Sequence, residues 1–368
     1  MSFTIVNYPL INQPLEFIQN VAWNLGFDRC VLVSPQIPFQ DQVAYENWVK
    51  AGMAGEMQYL TRDPSARLNL SRKYSFAKSV LSVGVSYYQG PVPEKPGTGY
   101  GRVARYAWGE DYHDIIEFRL TELINKIKKE FSVKEALVAV DSKPLFERAL
   151  ARKGGMGFIG KNTVLILPQN NALFPRHGFH VGSWVFIAEI LLDIELGNSV
   201  ENLNQQAGCG GCTKCLTACP TQAFDGAYKL DSRKCISYLT IENKGAIPIE
   251  MRKHLKDWIY GCDICQDVCP FNAQAFETRW PELKANRGVG AWLSLTQVLS
   301  IRTQSEYKEK FKGTPLLRAK RKGLLRNACV VAGNSQDEAL IPILELCLKD
   351  EEPLIREHAL WAIEQLKK

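Results

Sequence analysis

Hydrophobic positions in the first half of the chain switch repeatedly between helical spacing and short strand-like runs, which predicts helices and strands in alternation. Leu15, Ile18, Ala22 and Leu25 mark one face of a helix that Gly26 ends, and residues 30–33 then read as a strand. Residues 80–87 form a second β-rich run, 89–101 a Gly/Pro loop, 111–131 an amphipathic helix and 136–140 a further strand. A helical stretch over 144–153 precedes two apolar β-prone segments, 164–167 and 181–192. The alternation predicts an α/β domain over residues 1–197.

The pattern then changes twice. Residues 198–275 have little periodicity and many cysteines, as expected of a small module organised by what those cysteines hold. Residues 276–368 read as helical throughout, with apolar spacing over 318–332, 338–348 and 353–366. The last segment, with Pro353, Arg356 and alternating small and large apolar residues, resembles a HEAT-type repeat. One or two such repeats bury no core alone, so this region is expected to pack on the preceding domain.

Composition fits a soluble protein of two or three domains: 368 residues, 46% hydrophobic and 23% charged. The most apolar stretch, residues 184–192, is short and interrupted by Glu189, so no membrane span is expected. Residues 1–5 carry neither a basic leader nor a twin-arginine signal, and thiols reserved for metal suit a reducing compartment; both point to the cytoplasm. Charge is unevenly placed. Between Tyr307 and Asn327 eight basic residues face a single acid, Glu309, which outweighs the whole chain's net charge of +6. Such a run is ordinarily a solvated helix face, but its density also suits a phosphate backbone.

The cysteines carry the strongest signal. Cys209, Cys212, Cys215 and Cys219 precede Pro220 with the C-x2-C-x2-C-x3-C-P spacing of two-cluster ferredoxins, in which the fourth thiolate crosses to the other cluster. A second run, Cys262, Cys265 and Cys269 before Pro270, has Ile259 where its first ligand belongs, and Cys235 lies between the runs to replace it. The expected sets are Cys209, Cys212, Cys215 and Cys269 on one 4Fe-4S cluster, and Cys219, Cys235, Cys262 and Cys265 on the other. Paired structural zincs are the competing chemistry. Cys30, Cys329 and Cys347 sit in apolar stretches as inert core thiols.

Other motifs are weaker. The run from Gly155 to Lys161 imitates a phosphate-binding loop, but Asn162 fills the Ser/Thr position and a strand follows the glycines instead of preceding them. Gly97, Gly99 and Gly101 follow a proline-bearing loop and read as turns. Asp141 directly follows the strand at 136–140; it is a candidate proton donor at a strand's carboxyl end, or, with Ser142, a cap for the helix near Pro144. His177 and His180 lack further spaced ligands and read as a surface loop.

Taken together, residues 141–148 (Asp-Ser-Lys-Pro-Leu-Phe-Glu-Arg), 155–162, 105–113, the split cysteine set and 235–242 resemble the epoxyqueuosine reductase family over nearly the whole chain. The resemblance implies an N-terminal α/β cobalamin-binding domain, a ferredoxin-like module with two 4Fe-4S clusters, and a HEAT-like helical end. It implies reduction of an epoxide to an alkene at the tRNA wobble base, with two electrons and two protons consumed and water released. Asp141 matches the family's proton donor. Arg148 and His113 match residues near the reacting centre, and Arg67, Lys161, Ser183 and Ser237 are candidates for cobalamin contact. Lys320, Arg321, Lys322 and Arg326 would hold the tRNA backbone, and base recognition would fall to groups touching the splayed loop. An external donor of flavodoxin or ferredoxin type would supply electrons to a monomeric protein. The stretch 169–181 is longer than the family pattern. A corrinoid reductive dehalogenase shares the cofactors but exports itself with the signal absent here, and a simple electron carrier leaves the first two hundred residues without a task.

Overall fold

The computed structural model describes residues 13–168, 181–199 and 208–368. In chain order its main elements begin with helix α1 (Gln13–Asn24), strands β1 (Arg29–Val33), β2 (Ser79–Ser86) and β3 (Tyr100–Val103), and helix α2 (Tyr112–Glu130). Strand β4 (Ala136–Ala139), helix α3 (Glu147–Lys153), and strands β5 (Phe158–Ile159), β6 (Leu165–Ile166) and β7 (Val185–Leu192) complete the first half. Then come helix α4 (Ile236–Ile241), strands β8 (Trp258–Tyr260) and β9 (Trp292–Ser294), and helices α5 (Lys320–Asn334), α6 (Ile341–Cys347) and α7 (Pro353–Leu366). The N-terminal residues 1–5 and the stretch 169–180, with His177 and His180, lie outside the described residues.

The main sheet has the order β1-β2-β7-β4 and every pairing in it is antiparallel. Strands β1 and β2 are buried along their whole length, so their side chains serve two faces in turn. Leu81, Val83 and Val85 pack with Ile18 of α1 and Leu120 of α2, while Val80 and Leu191 pack with Leu150 of α3 on the opposite face. The mixed α/β character therefore holds, but the carboxyl-end rule of parallel sheets does not place Asp141: neighbouring strands run in opposite directions. Gly26 ends α1 at φ +93°, and a Cβ there would meet Trp280 Nε1 at 2.3 Å, so both backbone conformation and close approach require glycine.

A second sheet, β8-β3-β9, pairs β3 in parallel with β8 and antiparallel with β9. It interlocks the first half of the chain with the cysteine-bearing and C-terminal segments. The expectation of an all-helical 276–368 is thereby corrected: β9 is three residues long, too short for periodicity to reveal, and is formed by its partner β3.

Helix α5 corrects a second expectation. It is buried from Arg321 nearly to its end, with α7 packed against it at Gly333, where an added Cβ would meet Trp361 at 2.7 Å. A helix surrounded on all sides must pair its polar groups internally. Arg321 is buried, donating to Ile301 O and pairing with Asp350. Arg326 is wholly buried and donates to Asn243 O at 2.7 Å, Gly245 O at 2.6 Å and Leu239 O at 2.6 Å. These two guanidinium groups are structural ties and do not reach a phosphate. Lys320 is exposed and Lys322 half-buried. Among the described residues no helix is long and apolar enough to cross a membrane.

Candidate active site

Strand β4 ends at Ala139, and two residues later Asp141 takes the left-handed conformation, φ +47°. For a residue with a Cβ this costs about 1 kcal/mol or more. Two contacts hold it there. Glu147 Oε1 accepts the Asp141 N–H at 3.1 Å, and Asp141 Oδ2 accepts from the Tyr112 hydroxyl at 3.2 Å. The helix in this region starts only at Glu147 and has no side-chain cap, so the capping role considered for Asp141 or Ser142 is absent.

Tyr112 opens α2 and is fixed by stacking on Phe186 of β7, with centroids 4.2 Å apart and planes at 13°. Burial, then the charge of Asp141, pushes its phenol far up, so the hydroxyl stays a proton-bearing donor. His113 stacks on Tyr112, and its Nδ1 lies 2.8 Å from Asp111 Oδ1. Burial opposes protonation of His113, but the Asp111 hydrogen bond and charge, with Asp141 beyond, raise its pKa overall. Burial first and Asp141's charge second push the Glu147 carboxyl up to about 8.

Arg148 is exposed and yet desolvated by its surroundings, which lowers its pKa; a side chain open to solvent but dense with neighbours lines a recess. Its guanidinium donates to Thr163 O. At the mouth stand three residues from three segments. Arg318 pairs with Glu242 at 2.9 Å and lies over the ring of the exposed Tyr59, 5.5 Å from its centroid. Arg318 is coupled to Asp141 and His113 by charge. The C-terminal segment thus reaches the Asp141 recess through Arg318.

The remaining candidates divide. Arg67 is buried, donating to Leu145 O at 3.0 Å and Tyr59 O at 3.4 Å, so it braces the Asp141–Arg148 loop. Ser183 is buried under the cysteine module, its hydroxyl accepting from Asn272 Nδ2 at 2.9 Å and Gln266 Nε2 at 3.1 Å. Lys161 donates from Nζ to Gly210 O at 2.7 Å and from its N–H toward Cys209 Sγ at 3.4 Å, joining the glycine run to the first cysteine loop. Ser237, half-exposed in the first turn of α4, keeps its place beside Cys235. Beside Lys161, the buried Asn162 Oδ1 has no partner.

The cysteines fall into two neighbourhoods. Cys269 is coupled by charge to Cys209, Cys215 and Cys212, whereas Cys235 is coupled to Cys219 and Cys262 to both Cys235 and Cys265. Cys265 also feels Cys215, so the two groups adjoin. Burial, then neighbouring thiolates, raises the pKa of Cys215, Cys265 and Cys269. Thiols that hinder one another's ionisation suit iron, whose positive charge reverses that balance. Among the described residues no three or more His, Cys, Asp or Glu groups converge on the position of a single metal ion. Cys30, Cys329 and Cys347 lie in the core as expected.

Comparison with known proteins agrees with this geometry. Residues 208–272 match the family model described as a 4Fe-4S double cluster binding domain, and residues 67–142 match that described as epoxyqueuosine reductase QueG, DUF1730. Epoxyqueuosine reductase of Xanthomonas campestris pv. campestris is 37% identical over 353 residues, 95% of each chain. The chain belongs to the epoxyqueuosine reductase family. It is an oxidoreductase with iron-sulfur cluster sites. The epoxyqueuosine reductase of Pseudomonas aeruginosa is 35% identical, covering 95% of this chain and 93% of its own. Among solved structures, epoxyqueuosine reductase with an epoxyqueuosine-modified tRNA-Tyr stem loop superposes with TM-score 0.84 at 28% identity, covering 96% of this chain and 90% of that one. The Bacillus subtilis epoxyqueuosine reductase, solved with its catalytic aspartate loop swung out of the active site, gives 0.80 at 29% identity, covering 95% and 90%.

Sequence reasoning missed Glu147, Tyr112, Tyr59, Glu242 and Arg318 as site residues. Glu147 and Tyr112 sit inside quoted motifs, so a signal existed for those two. Tyr59, Glu242 and Arg318 are brought together only by the fold.

Proposed function

We propose that this enzyme reduces epoxyqueuosine to queuosine at the wobble position of tRNA, with Asp141 as the proton donor. The observation that carries this reading is Asp141, held in a strained conformation between Tyr112 and Glu147 at a recess. Strain retained at a reacting position suits preorganisation. The related structure with a modified tRNA stem loop, and the one whose catalytic aspartate loop swings out, support it.

Cobalamin fits the recess: Arg148, His113 and Ser237, with the unpartnered Asn162 oxygen, offer polar groups to an amide-fringed ring. When bound it would supply low-valent cobalt able to deliver an electron pair to the epoxide carbon. The chain's own residues do the rest. Asp141 gives its proton to the epoxide oxygen as the C–O bond breaks, Tyr112 and Glu147 keep its carboxyl aimed, and protonated His113 lends positive charge to the developing oxyanion. Two electrons and two protons yield the alkene and water.

The eight cysteines hold two 4Fe-4S clusters in the crossed sets given above, and electrons from a flavodoxin- or ferredoxin-type donor pass through them toward the recess. The helices α5–α7 act as a HEAT-like end that places tRNA, with Lys320 and Lys322 on its backbone. Domains at 1–197, 198–275 and 276–368, a cytoplasmic location and a monomeric state complete the reading. Its test is an anaerobic assay on epoxyqueuosine tRNA with and without cobalamin: queuosine forms only with it, and equal product in both arms, or none in either, overturns the proposal.

A further inference from the structure

Tyr59, Glu242 and Arg318 meet at the mouth of the recess, and the chain around each of them is fastened. Glu242 directly follows α4, and the wholly buried Arg326 donates to Leu239 O, Asn243 O and Gly245 O, clamping the main chain on both sides of it. The Tyr238 hydroxyl accepts from the Glu56 N–H at 2.8 Å, and Glu56 Oε2 accepts from the Lys244 N–H at 2.7 Å. These bonds tie the Tyr59 segment to the Glu242 loop. Arg67 joins Tyr59 O to Leu145 O, so the mouth is fixed to the Asp141–Arg148 loop as well. On the third side the Tyr260 hydroxyl donates to Pro315 O at 2.6 Å and holds the short turn that carries Arg318.

Arg318 donates to Glu242 from Nε at 3.1 Å and from Nη2 at 2.9 Å, and both bonds fall on Oε1. Among the described residues no group donates to Oε2, which keeps two acceptor sites. The two side chains are 54% and 22% exposed, and an ion pair so placed adds little to stability. Beside them the exposed Tyr59 ring has surface to spare. A flat ring next to a preorganised carboxylate with a spare oxygen suits a planar group that carries hydrogen-bond donors on its edge. A phosphate does not suit it, because the carboxylate would repel it.

We propose that Glu242 reads the base of the modified nucleoside, accepting from its N1–H and 2-amino group, with Tyr59 as the stacking surface and Arg318 positioning the carboxylate. The inference rests on the function proposed above. The epoxide ring of that substrate hangs by an aminomethyl linker from a 7-deazaguanine, so an epoxide at Asp141 leaves the base toward the mouth. Adenine would turn an unprotonated N1 to the carboxylate, lone pair against lone pair, so the same contact rejects it.

Anticodon stem loops with guanosine, inosine or adenosine at the wobble position test this by equilibrium binding to the full chain with its clusters, where no turnover is needed. The wild type should bind the guanosine loop about 10-fold or more tighter than the adenosine loop, with inosine, which lacks the 2-amino group, between them. Glu242→Gln keeps the side chain's size but replaces one acceptor oxygen with a donor, and should bring the guanosine-to-adenosine ratio close to one. Arg318→Ala should narrow the ratio too, whereas Tyr59→Leu should weaken all three loops by about 10-fold at an unchanged ratio. Equal binding of the three loops by the wild type, or an undiminished ratio in Glu242→Gln or in Arg318→Ala, overturns the reading site. A wild type that binds none of the loops strikes the proposed tRNA substrate and this site with it. A preserved ratio without epoxide reduction strikes the proposed reaction alone.

Discussion

The Tyr112 hydroxyl donates to Asp141 Oδ2 at 3.2 Å, so the first residue of a long amphipathic helix aims the carboxyl at the end of a central-sheet strand. Tyr112→Phe keeps the stacking on Phe186 and removes only that donor. A hydrogen bond to the neutral acid contributes about 0.5–1.5 kcal/mol, so kcat should fall roughly 2- to 10-fold with the fold intact. Steady-state kinetics beside thermal denaturation checks this; an unchanged kcat removes Tyr112 from the positioning of Asp141.

The basic segment divides into structural and exposed members. Arg326→Ala strands three main-chain carbonyls and should destabilise by about 3 kcal/mol or more, read as a lowered Tm. Lys320→Ala with Lys322→Ala should leave Tm within about a degree but reduce the salt dependence of tRNA binding by roughly two counterions. The reverse pattern would contradict the placement of these side chains.

Stability should depend on pH with opposite signs at two sites. His358 is buried, its Nε2 accepting from the Ile247 N–H at 3.1 Å, and burial, then Arg252, holds it down to about 4. The unfolded chain takes up this proton below about 6.5, so stability is lost as pH falls from there toward 4. Glu147 works the other way: raised to about 8, it binds a proton that the unfolded chain releases near 4.5, so stability is lost as pH rises through that window. Tm measured across pH should show His358→Gln flattening the acid side and Glu147→Gln the neutral side.

In the proposed cluster sets Cys235 is the displaced ligand. Cys235→Ser should lower iron content by about half and spare the other cluster, because Cys235 neighbours Cys219 and Cys262 but not the Cys269 group. Iron analysis with electron paramagnetic resonance on the reduced protein reads this directly, and an unchanged spectrum would return the position to the core thiols.

Cysteine spacing, the helix over α2 and the motif around Asp141 were legible because each depends on local order in the chain. The basic run misled for a physical reason: charge count cannot show that α5 is enclosed by its neighbours, which turns Arg321 and Arg326 inward. Burial of Arg67 and Ser183 was hidden in the same way. The antiparallel order of the main sheet and the meeting of Tyr59, Glu242 and Arg318 are long-range outcomes that no periodicity records.

The measurement closest to the centre of the account is single-turnover reduction of epoxyqueuosine tRNA by Asp141→Asn, loaded with cobalamin and reduced iron-sulfur clusters, with the wobble nucleoside read by mass spectrometry. Asparagine keeps the size of the side chain and has no acid proton. The account predicts wild-type iron content and cobalamin absorbance with the epoxide left intact; conversion to queuosine at the wild-type rate would contradict it.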